Sequence, residues 1–142
     1  MKKYHLIFLG FALSACVSTG YLIKEQNLSL GDIKKSVSSA IGDPRKVSEN
    51  QRTYLSQYFS RTPNPKFDPD KSFERAYAKV VVLGERRPYD VELEVVVERR
   101  EEGRYVEIGN DMLEAKKLGK NLKIKLNQGR EDRNVIDDFR AF

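Results

Sequence analysis

Alternation of apolar and polar positions is the strongest pattern in the chain. Tyr89, Val91, Leu93, Val95 and Val97 alternate with Asp90, Glu92, Glu94, Val96 and Glu98. A period of two gives a strand one buried and one wet face, as in an antiparallel sheet covered on one side. Residues 76–83 read as the preceding strand and 84–87 as the turn. Pro88 is acceptable at a strand start, where its missing N–H is not needed. A second turn at 101–104 leads to a short strand at 105–108, which completes a three-stranded meander. On the wet face, Glu92, Glu94 and Glu98 with a cross-strand cation such as Lys79 predict a surface salt-bridge lattice. Acid–base catalysis would need one of these carboxyls desolvated, which a wet face does not provide.

Helical spacing appears on both sides of that sheet. Ser29 is placed to cap a helix running to Ile41, with Asp32 in its first turn. Ile33, Val37 and Ile41 share one narrow stripe, and Gly42 with Asp43-Pro44 ends the run. Lys34, Lys35, Arg45 and Lys46 read as a solvated face, or as cations that meet phosphate headgroups. Asn110 or Asp111 caps a second helix from Met112, whose apolar face is Ala115, Leu118, Leu122 and Leu126. The stretch 121–126 also alternates like a strand, so a helix ending near Gly119 and a helix running on are both open. Residues 129–133 read as a charged turn. Val135, Ile136, Phe139 and Phe142 then make one face of a short helix that docks on the sheet or serves a partner.

Between these elements, residues 52–61, with Tyr54, Tyr58 and Phe59, fit strand or helix, because Tyr54 and Tyr58 are helical neighbours and Tyr54, Ser56 and Tyr58 share a strand face; strand is the preferred reading. Pro63, Pro65 and Pro69 make 62–71 an irregular loop. Asp68, Asp70, Ser72 and Glu74 alternate like the start of a calcium loop. Phe73 stands where glycine is needed and Lys79 where a bidentate glutamate is needed, so no metal is expected. Arg86, Arg87 and Tyr89 gather at a hairpin tip, where they could contact a protein or hold an anion. The expected fold is α+β: an antiparallel sheet of three to five strands packed by two or three short helices.

Composition narrows the function classes. Charged residues are 33% and apolar residues 39% of the chain, which suits one well-solvated domain. Removal of residues 1–15 leaves 127 of the 142 and lowers the formal charge from +5 to +3, because Lys2 and Lys3 go. That balance is compatible with anionic lipid but is not a nucleic-acid footprint. The one histidine is His5 and the one cysteine Cys16. The chain after residue 16 therefore lacks Ser-His-Asp and Cys-His catalysis and the usual zinc ligand sets. No enzyme activity and no cofactor are expected.

Lys2 and Lys3 precede ten mostly apolar residues, 6–15, which end on Leu13-Ser14-Ala15-Cys16. That run is too short for a spanning helix of about 20 residues and suits a signal peptide. It resembles the lipobox of bacterial lipoproteins. The resemblance implies cleavage after Ala15, a thioether from Cys16 to diacylglycerol, and acylation of the new amine. Several acyl chains at about 0.8 kcal/mol per buried CH₂ anchor a protein stably. Val17, in place of Asp, implies sorting to an outer membrane where the cell has one. A looser resemblance, carried by Gly42-Asp43-Pro44 after a short helix, is to the small lipoprotein of the β-barrel assembly machinery; the chain departs from it after residue 60.

The expected organisation is a signal peptide at 1–15, a lipidated tether at 16–28 and one α+β domain at 29–142. The expected role is a non-enzymatic accessory lipoprotein facing the periplasm or exterior. It would be held in the cell or outer membrane through Cys16 and would bind another envelope protein. The alternative is a carrier or sensor for an anionic small molecule or cell-wall component, using Arg86 and Arg87.

Overall fold

The computed structural model describes residues 19–138, with side chains described for residues 19–132. The alternating strand builds the frame. β4 (Glu74–Leu83) and β5 (Tyr89–Glu101) pair antiparallel from Glu74↔Arg99 to Leu83↔Asp90. Ala76, Ala78, Val80 and Val82 share one face with Tyr89, Val91, Leu93, Val95 and Val97, and all nine are buried. β3 (Thr53–Leu55) pairs with β4, and β2 (Lys46–Val47) pairs with β3. β1 (Tyr21–Gln26) and β6 (Arg104–Asn110) lie end to end on the other side of β5, against residues 89–93 and 96–101.

The sheet therefore has six antiparallel strands rather than three to five. The β5–β6 register breaks between Val97 and Glu98 and leaves Ile108 without an opposite residue. Gly109 beside it takes φ +148°, a conformation that side chains resist.

β1 is the largest departure from expectation. Residues 21–26 form a strand, so they are not free tether, and Leu28 just after them is buried. The segment has no clean alternation to announce it. It is held by pairing with β5 and by Tyr21 lying under a helix, contacts made with residues 63 to 98 positions away.

α1 (Leu30–Ile41) crosses from β1 at one edge to β2 at the other. The Ser29 hydroxyl accepts from the Asp32 N–H at 3.1 Å and donates to the Asp32 carboxylate at 2.6 Å. Leu28 and Ile33, both buried, flank that cap as a hydrophobic staple. Gly42 follows the helix at φ +78°.

α2 (Met112–Asp138) runs 27 residues without a break. Asp111 is its cap, accepting from the N–H groups of Leu113 at 3.1 Å and Glu114 at 3.0 Å. Ala115, Leu122 and Leu126 are buried and Ile124 is 55% exposed. Helical spacing thus prevails at 121–126; a strand would have sent Leu122, Ile124 and Leu126 to one face. The turn expected at 129–133 is also helix, and 135–136 lie within it rather than in a separate short helix. Gly129 faces the Ser36 hydroxyl of α1, which donates to the Lys125 carbonyl at 3.3 Å. The glycine that broke the pattern on paper is a point of close helix–helix approach.

Gly119 plays the same part against the sheet. A Cβ there would lie 2.3 Å from Tyr21 Cδ1 and 2.4 Å from Cγ. The absent side chain lets β1 slide under α2. Both helices cover one face of the sheet, and the core fills the space between. Cys16, Phe139 and Phe142 lie outside the described residues.

Candidate functional site

Residues that alternate with the buried set in β4 and β5 point away from the helices. Arg75, Tyr77 and Lys79 thus face outward, opposite Glu98, Val96 and Glu94. The expected lattice is present at Lys79–Glu94, 3.3 Å apart. Val96, read as a wet position, is only 3% exposed, shut in between Tyr77 and Asn110 across the two ladders.

Around Arg75 the outward face carries a ridge of alternating arginines and tyrosines. The Arg75 guanidinium carbon lies 3.7 Å from the Tyr58 ring centre and 3.5 Å from that of Tyr105. Arg45 lies 4.2 Å over Tyr58 and 4.9 Å over Tyr77. Tyr58 and Tyr77 meet edge to face at 5.8 Å and 86°. Each ring face attracts a cation through its quadrupole.

Arg75 is also the polar hub. Its Nε donates to Glu98 at 2.7 Å, and its terminal nitrogens donate to Tyr58 Oη at 3.1 Å and the Pro69 carbonyl at 3.2 Å. Tyr105 Oη donates to the Ser72 carbonyl at 2.7 Å, so the loop at 60–73 closes over one end of the ridge. Arg45 stays exposed at the other end, while the three tyrosines are half-buried. The arrangement is an amphipathic surface whose arginines and tyrosines stack on one another.

Chain geometry explains why this ridge was missed. Tyr54 is fully buried and Ser56 pairs with Ala78, but Phe59 next bridges Ala76. Gln57 and Tyr58 thus stand opposite Tyr77 alone, one residue more than a regular ladder holds, and Tyr58 leaves the face of Tyr54. The readable signal was Arg75↔Glu98 and Tyr77 between two buried alanines. Arg45 and Tyr105 come from distant segments that nothing in their neighbourhoods joins.

The predicted tip is only partly assembled. Arg86 and Arg87 stand exposed on the turn between β4 and β5, but Tyr89 is 8% exposed and belongs to the core. Its ring packs inward because it opens the buried set of β5. Arg52 holds the turn from beneath, donating to the carbonyls of Gly84 and Glu85, with its guanidinium 5.4 Å from the Tyr89 ring centre.

A cleft of about 620 Å³ opens at the end of the sheet, lined in part by Arg61, Thr62, Asn64, Phe67, Phe73 and Asp111. Its charges are spent on one another. Arg61 bonds Glu74 at 2.9 Å and Asp111 at 3.2 Å, and Arg99 bonds Glu74 at 2.8 Å. Among the described residues no group of three or more His, Cys, Asp or Glu is placed to hold a metal. Asp68, from the calcium-like run, accepts from the Asp70 N–H and pairs with Lys71 instead.

These pairs set a pH dependence. The Arg99 and Arg61 guanidiniums hold the Glu74 carboxyl below its usual range. The Glu114 N–H, then Arg61, do the same for Asp111. A depressed folded pKa contributes stability above the unfolded value, about 4.3 for Glu and 3.9 for Asp, and loses it as pH falls further. The melting temperature should hold steady down to about pH 5 and drop below about pH 4. Asp111→Asn keeps the cap but should weaken that acid dependence; an unchanged acid limb would separate Asp111 from it.

Among the described residues no helix is long and apolar enough to cross a membrane. No protein-family model matches the chain, and no curated protein matches it.

Proposed function

We propose that the protein is an envelope lipoprotein, anchored through lipid on Cys16, that works as a non-enzymatic accessory subunit by binding another envelope protein. The observation that carries the binding role is the ridge of Arg45, Tyr58, Arg75, Tyr77 and Tyr105. Arginine and tyrosine dominate the energetic centres of protein interfaces, where large, stiff side chains bury area at little entropic cost. Here they stack on one another without a partner, and side chains already held in contact lose less freedom on association. Neither helix covers this face. The anchor rests on the lipobox-like Leu13-Ser14-Ala15-Cys16.

A small-molecule carrier built on Arg86 and Arg87 has less support. Both stand on an exposed turn, while the 620 Å³ cleft is lined by other residues. The test is recovery of the full-length protein from native membranes in mild detergent, tagged by insertion at the exposed 63–65 turn. A stoichiometric envelope protein should come with it, and Arg45→Glu should lower the recovery by roughly thirtyfold. Loss on Arg86→Glu with Arg87→Glu, but not on Arg45→Glu, would move the contact to the hairpin tip. Recovery of the protein alone would end the accessory reading.

A further inference from the structure

Between Glu114 and Glu131 the chain contains Lys116, Lys117, Lys120, Lys123, Lys125 and Arg130 and no acidic residue. The whole stretch lies in α2. Ala115, Leu122 and Leu126 take the inward side, so positions 113, 117, 120 and 124 fall on the outward side. Lys116, Lys117, Lys120 and Lys123 are all exposed. Lys117 makes one ion pair, with Glu114 at 3.2 Å, at 75% side-chain exposure. Two aliphatic residues stand on the same outward stripe: Leu113, 83% exposed, and Ile124, 55% exposed. They are about 16 Å apart along the helix.

We propose that this outer face of α2 lies on an anionic lipid surface, its lysines against phosphate headgroups and Leu113 and Ile124 dipping into the interface. Lysines around isolated aliphatic side chains suit the boundary between headgroups and acyl chains. The stripe has neither the arginines nor the aromatic platforms that single-stranded nucleic acid uses. The presence of a bilayer beside it rests on the Cys16 anchor proposed above. Tyr21 is wedged under Gly119, at the middle of the basic stretch. The five residues back to Cys16 span at most about 17 Å. Thr19 and Gly20 sit against Glu94 and Glu92 on the face away from the helices, with Thr19 Oγ1 donating to Glu94 at 2.8 Å, so a lipid on Cys16 keeps the domain close to a membrane and the lysines and aliphatic side chains select the α2 face.

The test uses the full chain carrying Cys16→Ser, so that lipidation cannot drive binding. Flotation is measured with vesicles of phosphatidylcholine alone and of phosphatidylcholine mixed with phosphatidylglycerol. The parent should prefer the anionic vesicles, and added salt should weaken the preference. Lys117→Gln, Lys120→Gln and Lys123→Gln together should reduce anionic-vesicle affinity on the order of a hundredfold, at unchanged helical circular dichroism. Residues 1–15 are common to both chains and cancel in the comparison. Equal affinity of parent and triple variant for the anionic vesicles would overturn the proposal. Acyl labelling of the wild-type chain is read separately. Absent label would defeat the anchor while leaving a vesicle preference lost in the triple variant standing as a property of α2.

Discussion

Gly119→Ala should destabilise the domain by about 2 kcal/mol, a fall in melting temperature of roughly 8 °C. The expectation runs against helix propensity, which favours alanine over glycine by about 1 kcal/mol in a helix interior. Packing decides the sign. The new methyl would meet Tyr21 Cδ1 at 2.3 Å, Cγ at 2.4 Å and Cβ at 2.7 Å. Side-chain rotation can move Cγ and the ring, but Cβ is fixed to the backbone of a strand tied to β5. Either β1 shifts or α2 lifts from Leu93, which pairs with Tyr21. A double-mutant cycle with Tyr21→Ala should show the two costs adding to more than the double variant loses. Stabilisation by Gly119→Ala would mean that β1 does not pack beneath α2.

Arg75→Met is the second large effect. It removes the partner of Glu98, whose side chain is 16% exposed, and the filling between Tyr58 and Tyr105. Breaking a mostly buried ion pair from one side costs about 3 kcal/mol, because the remaining charge is desolvated without compensation. Near-ultraviolet circular dichroism should fall with it, since two tyrosines lose their common neighbour. Arg75→Met with Glu98→Leu should recover much of the stability, as replacing both partners removes the stranded charge. It should not restore the tyrosine signal. A single variant as stable as wild type would show that Arg75 is not the hub of the outer face.

The contrast between these two positions shows what a chain reveals before it is folded. Arg75 was within reach of pattern reading, because alternation puts it outward and opposite Glu98. Gly119 was read as a possible helix end, since nothing local distinguishes a glycine that terminates from one that admits a neighbour. Local signals were sound elsewhere: Ser29 and Asp111 cap as expected, and Ala115, Leu122 and Leu126 face the core. What stayed hidden was carried by distant pairings. β1 has no alternation of its own, and Tyr58 changes face through one inserted residue. Tyr89 looked like part of an exposed tip because it adjoins Arg86 and Arg87. Its place in the buried set of β5 was the stronger signal.

The bulge at Ile108 has a consequence for crowding. β6 presents its outer edge unpaired among the described residues, and an open edge is a template onto which another copy can zip. A lipid-anchored protein, as proposed above, would meet its copies often and in restricted orientations. At Ile108 the ladder loses step, and Gly109 bends the backbone away from the regular repeat. A neighbour's strand approaching from outside finds only short regular stretches, 104–107 on one side and 109–110 on the other. The irregularity shortens the regular edge onto which a second copy could pair.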